Sequence, residues 1–142
     1  TQSSVKEMAE YINQSGPDAI LMPEPGYLIE AIPYYSNNEI YLIREKRYAK
    51  RAQLTIHVNF DLSLDELLEQ AQILEVKREK KVLIVLAHLE LDSHEDRQIE
   101  FPFGKKFSWT NQSLERFRDL TQKVSDFKGA NGIENFEVYR LK

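Results

Sequence analysis

The sequence predicts one α/β domain over residues 1–142, a Rossmann-like three-layer sandwich with helices on both faces of a mostly parallel sheet of about five strands. Three observations lead there. Val82–Ala87 is an uninterrupted apolar run, the pattern of a central strand buried on both faces. Leu64, Leu67, Leu68, Ala71 and Leu74 recur at helical spacing just before it. Strand-like and helix-like segments alternate along the chain, which implies parallel pairing through right-handed crossovers.

Composition narrows the classes. A chain of 142 residues suits one domain. It buries roughly 70% of its unfolded surface, so it folds without a metal or disulfide. There is no Cys, which excludes a thiol nucleophile and a zinc–thiolate site. The formal net charge of -4 argues against long-range attraction of nucleic acid or acidic lipid. No charged start leads into an apolar stretch, so no signal peptide is read. The Val82–Ala87 run is far short of the about 20 residues of a membrane span.

The elements follow in order. Val5, Met8, Ala9 and Ile12 sit at helical spacing, with Ser3 or Ser4 as N-cap and Gly16-Pro17 as the stop. Ala19–Met22 reads as a buried first strand. Pro23-Glu24-Pro25-Gly26 is a rigid turn. Tyr27–Tyr35 reads as a short helix disturbed at Pro33, Asn37-Asn38 as a turn, and Ile40–Ile43 as a second strand. Gln53–Phe60 alternates apolar and polar residues, as a strand with one wet face does. Ser63 and Glu66 form a capping box for the helix that follows. Lys77–Lys81 place positive charge at its C-terminal dipole. Val82–Leu89 is the central strand. Glu90–Gln112 is a long connection, acidic and then aromatic; unstructured loops of that length are often functional or part of an interface. Leu114, Phe117, Leu120, Val124 and Phe127 predict a last helix, ended by Gly129 and Gly132. Phe136–Leu141 is the final strand.

Four features bear on chemistry. Glu24 would lie beyond the carboxyl end of the first strand, where open α/β sheets bind ligands. It reads as a carboxylate for a sugar or polar ligand, or as the cap of the next helix. His88 opens a run through Asp96 with imidazoles and carboxylates at alternating positions. No established metal spacing is matched, and His88 has no nucleophile partner. Arg44, Lys46, Arg47, Lys50 and Arg51 form a basic stretch able to hold a phosphate or an anionic headgroup, or a solvated loop. Phe101, Phe103, Phe107 and Trp109 enclose Lys105 and Lys106. They suit stacking on a sugar, an interface, or a loop folded over the core. Asn111-Gln112-Ser113 matches the N-glycosylation pattern and also fits a helix cap. Glycine-rich phosphate loops are absent, and neither cofactor, metal nor nucleic acid is expected.

The segment Pro17–Leu28, with Pro33-Tyr34-Tyr35, Glu39–Leu42 and the closing Glu134–Leu141, resembles the soluble C-terminal domain of bacterial multi-pass membrane glycosyltransferases. These are the protein O-mannosyltransferase and lipid A aminoarabinose transferase type. The resemblance implies the extramembrane C-terminal part of a longer membrane protein, on the periplasmic face. It implies an accessory role: contacting a lipid-linked sugar donor or the acceptor, or stabilising the membrane part. Its partners would be the membrane-embedded part of the same chain and polyprenyl-phosphate-linked sugar or anionic lipid headgroups. The family's catalytic acids lie in loops between spans, so none is carried over. Two other classes remain open: a free-standing ligand- or protein-binding module, and a small soluble enzyme using Glu24 or the His88 loop. The candidate ligand contacts are Glu24, Arg44, Arg47, Arg51, His88 and Trp109.

Overall fold

The structure is a computed structural model that describes residues 4–26, 36–49, 58–87, 89, 91–129 and 135–142. Helix α1 (Ser4–Ser15) leads into strand β1 (Ile20–Glu24), a small β2 (Tyr41–Leu42) and β3 (Arg47–Tyr48) pair, and β4 (Asp61–Ser63). Next come α2 (Leu64–Arg78), β5 (Val82–Ala87), a hairpin of β6 (Arg97–Glu100) and β7 (Lys106–Trp109), α3 (Asn111–Leu120), β8 (Thr121–Phe127) and β9 (Phe136–Leu141).

Every residue of β5 is buried, because period-two alternation sends its side chains into two apolar clusters. Val82, Ile84 and Leu86 join the α2 stripe of Leu64, Leu67 and Leu68. Leu83, Val85 and Ala87 meet Met8 and Ile12 of α1 on the other face. Helix α2 starts as its sequence requires. Ser63 Oγ accepts from the Glu66 N–H at 3.1 Å, and Glu66 Oε2 accepts from the Ser63 N–H at 3.2 Å. The buried Asn38 side-chain amide donates to the carbonyls of Gly16 and Ala19 at 2.9 and 2.8 Å, pinning the α1–β1 connection.

The expected mostly parallel, Rossmann-like sheet is not what forms. The main sheet has the order β1-β5-β9-β8. Strands β1 and β5 are parallel, whereas β9 runs antiparallel to both β5 and β8. A second sheet, β4-β7-β6, stands apart, with β4 parallel and β6 antiparallel to β7.

Two segments account for this. The connection after β5 is not an unstructured loop: it folds into the β6–β7 hairpin and never returns a parallel strand to the main sheet. The predicted helix through Phe127 ends at Leu120, where the Thr121 N–H and hydroxyl both close on the Phe117 carbonyl. The next seven residues are β8, joined to β9 by a connection too short for a parallel crossover. A register shift between Lys123 and Ser125 lets Val124 and Phe127, three apart, both pack against the α1 cluster. A bulged strand thus reproduces helical spacing.

The predicted strand Gln53–Phe60 is not seen in its described part, since residues 58–60 precede β4 without forming a strand. Residues 53–57 and the predicted helix Tyr27–Tyr35 lie outside the described residues. No helix among the described residues is long and apolar enough to cross a membrane.

Candidate functional site

Glu24 is the last residue of β1 and shares a strand face with Ile20 and Met22, which enter the α2 cluster. Its carboxylate therefore points towards the second sheet. Arg44, in the turn between β2 and β3, comes to meet it. Arg44 Nε and Nη2 donate to Glu24 Oε1 at 3.0 and 2.8 Å. Nη1 donates to the carbonyls of Asn59 and Phe60 at 3.1 and 2.8 Å. Nη2 also donates to the Lys106 carbonyl at 2.8 Å. All five N–H groups of the guanidinium are thereby used.

Both side chains are almost fully buried, with 5% and 1% exposure. The pair joins the end of β1 to the segment ahead of β4 and to the start of β7, so it is the polar joint between the two sheets. Burial pushes the Glu24 carboxyl above its ordinary range, and the hydrogen bonds and charge of Arg44 pull against that rise.

A cleft of about 450 Å³ opens beside this joint, at the carboxyl end of β1. One wall is Pro25, Gly26 and Leu42. The other is the β6–β7 turn, with Phe101, Phe103 and Lys105. Glu24 and Arg44 form part of its lining, but each is engaged by the other. Lys105 lies close enough to lower the pKa of Glu24 by its charge. An apolar cleft with a lysine at its wall can accept an apolar group that carries an anion.

The six predicted contacts separate. Glu24 and Arg44, read from the sequence as unrelated features, are in direct contact. Arg47 lies on β3 outside the cleft lining and pairs at 3.3 Å with Glu45, an acid that does line the cleft. Trp109 is 3% exposed, and its ring packs against Phe107 with centroids 6.0 Å apart. It is a core residue of β7. Arg51 and His88 lie outside the described residues. Among the described residues no group of three or more His, Asp or Glu is placed to hold a metal ion.

Among the described residues of the basic stretch, Arg44 turns inward, away from Lys46 and Arg47. The aromatic set also divides. Phe107 and Trp109 share the inner face of β7, while Phe103 is 93% exposed at the turn. In the Asn111-Gln112-Ser113 triplet, Ser113 serves a second capping box with Thr110. Lys105 belongs to the aromatic stretch singled out in the sequence; its sharing a cleft with Glu24 and Leu42 is what the fold adds.

A smaller cleft of about 200 Å³ lies between α3, β8 and β9 and includes Arg118, Lys123 and Tyr139. Lys123 Nζ is 2.7 Å from Glu137, which also accepts from the Tyr139 hydroxyl at 3.0 Å. Lys123 and Glu137 are thus paired, and Arg118 Nη2 donates to the Leu91 carbonyl.

Comparison of the chain with protein-family models, curated proteins and solved structures gives no match. Fold and site together define a mixed α/β domain whose two larger sheets are joined by a buried ion pair and opened beside it by an apolar-walled cleft.

Proposed function

We propose that this chain is an accessory extramembrane domain of a membrane glycosyltransferase that uses a lipid-linked sugar donor, and that its cleft receives the prenyl-phosphate part of such a lipid. The observation that carries the reading is the combination at the cleft. Pro25, Leu42, Phe101 and Phe103 offer apolar surface for an isoprenoid, and Lys105 offers a cation for the phosphate.

The site is one of binding rather than proton transfer. Glu24 and Arg44 neutralise each other, and Arg44 has no N–H left for a ligand. Their part is to hold the two walls at a fixed spacing. Resemblance of the Pro17–Leu28 segment to the periplasmic domains of such transferases supports the same reading.

Calorimetric titration of the 142-residue chain with farnesyl phosphate tests it, with farnesol and inorganic phosphate as separate arms. Farnesyl phosphate binds, farnesol binds more weakly, and phosphate alone does not register. Lys105→Ala weakens farnesyl phosphate at least about tenfold, since a hydrogen bond to a charged group contributes ~1.5 kcal/mol or more. Absence of binding, or equal binding by the lysine variant, rejects the reading.

A further inference from the structure

The turn that forms one cleft wall has a conformation and an exposure that packing against the domain does not explain. Phe103 is the most exposed large apolar residue among those described, at 93%. Its backbone lies in the left-handed region, φ 67° and ψ 27°, which disfavours a residue with a Cβ. Pro102 before it and Gly104 after it, with φ 78°, fix the turn in that shape. The chain therefore holds an aromatic ring out in water on a strained backbone.

Charge is also uneven here. Residues 101–106 read Phe-Pro-Phe-Gly-Lys-Lys, two cations and no anion, in a chain of net charge -4. Phe60, 51% exposed, sits at the same end of the second sheet, because its carbonyl accepts from the Lys106 N–H at 2.7 Å. The nearest acids by strand register are Asp61 and Glu100, both partners of Lys106.

We propose that this hairpin tip is a membrane-contact element: Phe103 enters the interface of an anionic bilayer while Lys105 and Lys106 lie against its headgroups. Aromatic rings partition to that depth, and adjacent lysines add attraction to anionic lipid. Asp61 and Glu100 flank Lys106 within a Debye length, so Lys105, at the turn itself, is the cation set closest to the headgroups. Such contact would turn the cleft mouth towards the lipid phase, so it builds on the proposed function while being measured apart from it.

The test places a reporter at the tip. Phe103→Trp in the 142-residue chain is mixed with phosphatidylcholine/phosphatidylglycerol vesicles carrying brominated acyl chains, free of prenyl phosphate. Emission, corrected for buried Trp109, shifts to the blue and is quenched. Val76→Trp, at an exposed site on α2, shows neither change. In vesicle sedimentation Phe103→Ser lowers partitioning at least about tenfold, and Lys106→Ala about fivefold. The lysine effect vanishes on pure phosphatidylcholine. An unquenched reporter, equal quenching at residue 76, or self-association through Phe103 without lipid overturns the proposal. Vesicle binding without farnesyl phosphate binding rejects only the cleft reading; the converse rejects only the membrane contact.

Discussion

Arg44 places two of its N–H groups on one oxygen, Glu24 Oε1, and sends the other three to backbone carbonyls of two chain segments. A lysine has three donors and no fork, so it cannot reproduce this set. The pair thus specifies how the second sheet meets the first.

Breaking the pair from the arginine side leaves a buried carboxylate and takes one donor from each of three backbone carbonyls. Arg44→Met is expected to cost about 3–5 kcal/mol at neutral pH in urea denaturation. Without the guanidinium, the folded-state pKa of Glu24 rises further above its unfolded value. A carboxyl raised in the folded state favours folding at low pH, and that advantage is lost as pH rises through the folded pKa. The variant is therefore less destabilised at pH 5 than at pH 8. A deficit independent of pH would show that Glu24 is not the group left buried.

Glu39 behaves in the opposite sense. Hydrogen bonds from Arg78 and Lys80, at 2.8 and 2.9 Å, hold its carboxyl below the ordinary value of 4.5. Its contribution is present above that value and is lost as pH falls through the folded pKa. Glu39→Gln should flatten the acid limb of the melting-temperature profile below about pH 5. The difference at pH 7 should be no more than ~1 kcal/mol, because the cluster is partly exposed.

Trp109 gives a packing test. Its indole N–H has no hydrogen-bond partner among the described residues, so its contribution is that of a buried ring. Trp109→Ala is expected to destabilise by about 3–5 kcal/mol. Trp109→Phe should cost less than half as much by denaturant midpoint. Equal losses would point to an indole hydrogen bond.

Phe103 should contribute nothing to folding. Phe103→Asn, which tolerates the left-handed backbone, is expected to leave stability unchanged or to raise it by up to ~1 kcal/mol. Vesicle binding should fall in the same variant. A loss of stability would mean that the ring packs against the domain.

Local chemistry was the legible part of the sequence. The Ser63–Glu66 capping box, the α2 stripe and the doubly buried β5 follow from nearest-neighbour physics, and each forms. Strand order was not legible, because Val124 and Phe127 match a helix in spacing but sit on a bulged strand. The site was half visible. Glu24 was placed at a strand end, yet Arg44 was read as a surface cation because basic residues flank it. Nothing in a linear sequence records that a turn 20 residues away folds that guanidinium under a sheet.

The most direct test of the cleft is an amide chemical-shift map of the 142-residue chain during titration with farnesyl phosphate. The account requires saturable shifts concentrated at Leu42–Glu45 and Phe101–Lys105, with α1 and the outer face of α2 unmoved. Shifts centred on the Arg118–Tyr139 cleft, or none at saturating ligand, would contradict it.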